Sequence, residues 1–317
     1  MDKPNGLSWT DQVKLLQKRG MIVEEHEEDT LKRVSYYRIK EFAAPLAQID
    51  ENGEVNYSGV TFSEVVKRYY QDKNLRLNLL HAIEQIEVAL KTQLAYILGE
   101  RYGAYGYLDF YNWTNHKKFT KFTIEKQQFH FKQQLQSIVE KSNTSDIKLK
   151  ENQNEDGFPT VWLAIDSLMF GNLVTIIKMI SKSNLIRLAE NFNCTGKELV
   201  SWLRCLNFIR NICAHNSNII DIKLNTVPVI RKKWGKYLYI INGKKGKRPT
   251  NRLALVLMII ITMVNAINKK YRWGKISNNI YNICNICNLD DKKANLLGFA
   301  NAGDAIDIIK LSKEIDK

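Results

Sequence analysis

The chain has 317 residues, 44% hydrophobic and 25% charged, with a formal charge of +14. That is enough for one large or two modest globular domains with a sizeable core. The charge points to a polyanionic partner, nucleic acid first, with plain solubility as the alternative. Five cysteines, an odd number, do not make a disulfide framework and suit a reducing cytosol.

Met1 to Thr10 holds no apolar core of signal-peptide length. Thr10 to Arg19 repeats apolar residues at helical spacing (Val13, Leu15, Leu16), and Gly20 is a fitting C-terminal stop. A second helix is expected over about 28–40. Asp50 to Gly59 reads as a loop, with Asn52, Gly53, Asn56, Ser58 and Gly59. Thr61-Phe-Ser-Glu64 has capping-box spacing. From there to Gly99 the chain has neither Pro nor Gly, and apolar residues recur at intervals of three and four. This predicts a long amphipathic helix, bent near Asp72–Asn74. Residues 120–140 also read as helix, and the polar stretch 141–157 as a surface loop.

Pro159 opens a predicted helix over 159–170, with Gly171 near its end. Thr195-Gly-Lys-Glu198 is a second capping box, starting a helix with Leu199, Leu203, Leu206, Ile209 and Cys213 on one face. Tyr237–Ile241 reads as a short strand before a Lys-rich loop, 242–250. The apolar run Leu253 to Val264 would rise only about 18 Å as a helix, too short for a bilayer core of about 30 Å. It reads as a buried helix, and no membrane partner is expected. The whole pattern predicts an all-α bundle.

Charge is unevenly placed. Glu24, Glu25, Glu27, Glu28 and Asp29 cluster near the start. From Arg231 to Arg252 there are nine basic residues and no acidic one. Lys232, Lys233, Lys236, Lys244, Lys245, Lys247 and Arg248 are candidate RNA contacts. Trp234, Tyr237 and Tyr239 lie between them as candidate faces for base stacking.

The candidate catalytic residues are Arg210, Asn211 and His215. His215 ends the predicted 199–215 helix, and Asn211, four residues earlier, shares its face. Arg210 lies about 140° away around the helix but has a long reach. An imidazole can move the proton of a 2′-hydroxyl in either direction, and a guanidinium can clamp the phosphate it attacks. A satisfied helix-end group is the bland reading of His215. The spacing alone is weak, because Arg19-x6-His26 and Arg76-x4-His81 match it too. Both read as chance.

Glu84, Glu87 and Lys91 are helical neighbours, read either as a solvated salt-bridged face or as a polar network bracing the His215 pocket. Cys284-x-x-Cys287 lacks a second pair or a His for zinc, and both cysteines are expected to pack among Ile280, Ile283 and Ile286. No metal or cofactor is expected.

At Arg210-Asn-Ile-Cys-Ala-His215 the chain resembles abortive-infection proteins of the AbiD/AbiF type, within the HEPN superfamily of RNA-directed nucleases. The likeness extends to Tyr36-Tyr37-Arg38, Leu75-Arg76, Ala82 to Val88, Tyr102-Gly103, Pro159 with Trp162, Phe170-Gly171, and Trp202 with Leu206. These landmarks span residues 8–220 in the expected order. The basic region after about 230 matches less. The resemblance implies a HEPN-type helical domain over 59–317, with an N-terminal helical extension over 1–58. It also implies a role in anti-phage defence as a metal-independent endoribonuclease toxin, a homodimer that joins two motifs in one site, and a structured small RNA as partner or inhibitor. Two positions depart from the family pattern: Asn218 stands where an Arg is common, and Asp166 where a Glu is usual. A non-cleaving protein that holds a structured RNA therefore stays open beside the nuclease. So does an interaction protein whose basic face meets an acidic partner.

Overall fold

The computed structural model describes residues 6–49, 53–243, 246–284 and 291–315. Fifteen α-helices and two small antiparallel sheets make up these residues, as the all-α reading expects.

Helix α1 (Trp9–Lys18) is capped by Ser8, whose hydroxyl accepts from the Asp11 amide. It stops at Gly20, where the backbone turns left-handed at φ 85°. The amides of Gly20 and Met21 close back on Gln17 and Leu16, the usual glycine-terminated helix end. A Cβ at Gly20 would also fall 2.8 Å from the Asn56 side chain. The single helix expected over 28–40 is two: α2 (Glu28–Val34) and α3 (Tyr36–Ala43). Ser35 breaks it at φ 72°, ψ 147°, a conformation in which no helix can continue. Strand β1 (Gln48–Ile49), just before the predicted loop, pairs with β2 (Val55–Asn56) within it.

Helix α4 (Phe62–Tyr102) is the spine, 41 residues without a break across Asp72–Asn74. Its capping box forms as predicted. The Thr61 hydroxyl accepts from the Glu64 amide, and the Glu64 carboxylate from the Thr61 amide. Leu75, Leu79, Ile83, Ile86, Leu90, Leu94 and Ile97 are all buried. Around its upper part lie α5 (Phe110–Trp113), α6 (Lys121–Lys141) and α7 (Val161–Asp166). Then follow α8 (Phe170–Met179), α9 (Lys182–Glu190) and α10 (Gly196–Ala214). The predicted helix 159–170 is thus interrupted, and Gly171 lies in the first turn of α8 rather than at a helix end. Residues 141–157 carry only two short 3-10 turns, in keeping with a loop.

The predicted strand at 237–241 is shifted. Strand β3 (Ile240–Gly243) pairs with β4 (Gly246–Pro249), so much of the expected Lys-rich loop is a β-arm. Lys244 and Lys245 lie outside the described residues. The apolar run then forms α11 (Leu253–Ile267), in which every residue from 253 to 264 is buried. Helices α12 (Gly274–Cys284), α13 (Asp291–Leu297), α14 (Ala302–Ile306) and α15 (Ile308–Glu314) complete the chain, with α12 packed on α4.

The described residues form two apolar cores. The small one joins Leu16, Met21, Leu31, Ile39, Phe42 and Tyr57 to Phe62 and Val65 of α4. The large one takes the rest of α4 and all later helices. Because α4 serves both, the N-terminal unit is fixed to the bundle by a continuous helix. No helix among the described residues is long and apolar enough to cross a membrane.

Candidate active site

Just past the end of α10, Arg38 of the N-terminal unit reaches the chain at Asn216. This helix starts at the Thr195–Glu198 capping box, as predicted. Its inner face buries Leu199, Leu203, Leu206, Ile209 and Cys213. Burial pushes the Cys213 thiol up to about 12, so it stays protonated near neutrality and offers no thiolate. The helix ends at His215. Asn216 follows in the left-handed conformation, φ 58°. The amides of Asn216 and Ser217 turn back onto the Cys213 and Ile212 carbonyls. Asn tolerates this conformation, and here it takes the role glycine has at Gly20.

Asn216 is gripped from two sides. The Arg76 guanidinium donates to its side-chain oxygen at 2.8 Å, and Arg38 of α3 donates to its carbonyl. Arg76 is itself fixed by Asp72, one turn earlier on α4, with Nε 2.6 Å from Oδ2. The other Asp72 oxygen accepts from the amides of Ile219 and Ile220 at 2.8 and 3.1 Å. Both side chains of this pair are buried. Burial pushes the Asp72 carboxyl above its ordinary value, against the opposing pull of Arg76 and the two amides. Beyond it, Asn218 closes a turn on Asp221, which also pairs with Arg68. The position where an Arg was expected is thus occupied by a turn-forming amide.

Above this brace the predicted residues are open. Asn211 and His215 are exposed and Arg210 is half-buried. No hydrogen bond or ion pair holds any of the three side chains among the described residues. The geometry therefore presents an imidazole and an amide to solvent from a terminus that cannot easily shift.

Other expected members lie elsewhere. Glu87 and Lys91 do form an ion pair, at 3.1 Å, but Lys91 donates onward to the Asp166 carbonyl at the end of α7. Glu87 is eleven residues along α4 from Arg76, about 16 Å. Glu84 is exposed. The brace under His215 is Asp72 and Arg76 instead. Arg76, read as a chance match, is a structural arginine, and its apparent partner His81 contacts the Tyr271 hydroxyl at 3.0 Å.

The basic segment also needs correction. Trp234 and Tyr237 are buried and cannot serve as stacking faces for bases. Trp234 stacks on Trp202 with ring centroids 5.3 Å apart, and the Arg231 guanidinium lies 4.8 Å over Trp202. An indole pair gains more from burial than from display. Arg231 is held by Glu198 at 2.9 Å. That places Lys232 and Lys233 near the start of α10, roughly 30 Å of helix from His215. Lys236, Lys247 and Arg248 are exposed, and Tyr239 is 37% exposed. Arg252 returns toward the motif, donating to the Asp221 carbonyl. Cys284 is buried beside Ile280 and Ile283, while Cys287 lies outside the described residues.

A family model described as Abi-like protein matches residues 29–221, more than half of the chain. The chain belongs to that family. The matched span takes in Arg38, Asp72, Arg76, Arg210, His215 and Asp221, and stops before the basic segment. The brace and the open motif thus fall together inside the Abi-like region. No curated protein and no solved structure matches the chain.

Sequence reasoning took Asp72 only as part of a bend in α4 and missed Asn216 altogether. Their signal was present but faint. An Asp four residues before an Arg on a mostly apolar helix face marks a buried pair. An Asn directly after the last helical residue marks a left-handed end.

Proposed function

We propose that the chain is an abortive-infection endoribonuclease of the HEPN superfamily, of the AbiD/AbiF type, acting on RNA without a metal. One observation carries the reading: Asn211 and His215 are exposed, and among the described residues untied, at a helix end that Arg38, Arg76 and Asp72 hold fixed. In this reading His215 removes the proton from a 2′-hydroxyl. The freed oxygen attacks the adjacent phosphorus, and the bond to the 5′-oxygen breaks as that oxygen takes up a proton. Arg210 holds the phosphoryl oxygens, and Asn211 orients the imidazole or the phosphate. The products are a 2′,3′-cyclic phosphate and a 5′-hydroxyl. Lys236, Lys247 and Arg248 steer the RNA. A second copy of the chain brings a second motif, and a structured small RNA restrains the toxin.

The test is induced expression of wild type beside His215→Ala, with purified protein incubated with RNA in chelator. Toxicity and cyclic-phosphate ends are expected from wild type alone. Equal toxicity, or cleavage that needs a divalent metal, would sink the mechanism.

Asn218 favours a second reading. Locked in its turn with Asp221, it adds no charge beside His215. In that case the protein holds RNA without cutting it, and His215→Ala leaves RNA binding intact.

A further inference from the structure

The outer face of α10 carries more than the motif. Lys197, Ser201, Arg204, Phe208, Asn211 and His215 recur at alternating intervals of four and three, so they form one stripe within about 80° of the helix circumference. Asn211 and His215 end that stripe. Its earlier part lines a cavity of about 850 Å³ between α9, α10 and the chain segment 224–229. That volume is within the roughly 300–1,000 Å³ of small-ligand sites.

The lining has two characters. Val200, Ile186 and Phe208 give an apolar floor, and Phe208 is 45% exposed although the inner apolar residues of α10 are buried. Lys118, Lys182, Lys197 and Arg204 stand around it, and among the described residues no acidic one lines the cavity. The side chains of Lys182, Lys197 and Arg204 have no hydrogen bond or ion pair among the described residues. Cations gathered without a counter-charge around an aromatic face suit a ligand that is flat and apolar in one part and anionic in another.

We propose that this cavity is a nucleotide subsite, with a base against Phe208 and phosphates on Arg204, Lys197 and Lys182. The nucleotide is an unpaired unit of single-stranded RNA, whose strand then follows the stripe to His215, about 10 Å further along the helix. The strand's destination rests on the ribonuclease reading. The nucleotide chemistry does not, and a free nucleotide would present the same groups.

The test uses full-length His215→Ala protein, so that RNA stays intact, with a fluorescein-labelled oligouridylate as probe and adenosine monophosphate as the free nucleotide. Phe208→Ala is expected to weaken oligonucleotide binding by about tenfold. Arg204→Gln with Lys197→Gln should flatten the dependence of log affinity on log salt by roughly 0.7 for each cation removed. Irradiation with 4-thiouridine-substituted RNA should place an adduct on the peptide that carries Phe208. These side chains are at the surface, and circular dichroism checks that the variants fold.

Oligonucleotide affinity, salt slope and cross-link all unchanged would overturn the subsite. Loss of adenosine monophosphate binding alone would overturn the strand path and identify a free nucleotide as the ligand. A shift from dimer to monomer with RNA binding intact would make the cavity a contact between copies, and would also overturn the proposal. Loss of binding in the cavity variants, with no cleavage by protein carrying His215, would leave the subsite standing and remove the nuclease.

Discussion

Asp72 does more for the motif than its position suggests. It neutralises Arg76, a buried cation, and takes up two backbone amides that would otherwise be buried without acceptors. Asp72→Ala strips Arg76 of its counter-charge, leaving it only neutral oxygens, and leaves both amides without an acceptor. We expect a loss of about 3–5 kcal/mol, the cost of breaking a buried pair from one side, measured by urea unfolding. RNA cleavage should fall with it, because the loop that holds Asn216 loses its support. His215→Ala should behave in the opposite way, removing cleavage while stability changes little, since that ring is exposed and has no hydrogen bond or ion pair among the described residues. In the proposed ribonuclease reading, the contrast separates the group that does chemistry from the groups that position it.

Two helix junctions show where strain and charge are held. Ser35 separates α2 from α3 at φ 72°, ψ 147°, close to a region that glycine alone occupies freely. Ser35→Gly should raise stability by about 1 kcal/mol, read as an increase in the thermal midpoint. At the start of α10, burial works to raise the Glu198 carboxyl. Arg231 and the Thr195 amide outweigh it, and the group sits below its ordinary 4.5. A lowered carboxylate stabilises the fold fully above its unfolded value. That contribution disappears as pH falls from 4.5 through the lower folded value. Arg231→Met should cost about 1.5–3 kcal/mol at neutral pH and flatten the acid limb of the stability profile, as followed by unfolding from pH 6 downward.

In the whole molecule, the shared helix α4 lets a small N-terminal core act on a site in the large one. Arg38 belongs to the small unit and bonds to the residue after His215, so the two units meet at the motif. The proposed function joins two motifs in one composite site, so sedimentation should give twice the chain mass, with the mass independent of His215. A monomer at high concentration would contradict the composite site.

The amino-acid sequence alone carries the helical class, the two capping boxes, the buried run 253–264 and the shared helix face of Asn211 and His215. These are local properties: a hydroxyl reaches an amide three residues on, and apolar spacing of three and four makes a face whatever surrounds it. What it could not decide were matters of which segments meet. Trp234 and Tyr237 read as stacking faces beside lysines, but Trp202 covers Trp234 in the fold. Arg76 read as an accidental match until Asp72 and Asn216 closed around it from 4 and 140 residues away. Burial of an aromatic ring or a guanidinium depends on partners distant in sequence, and its energy belongs to the contact rather than to either residue. Only the tertiary structure brings those partners together.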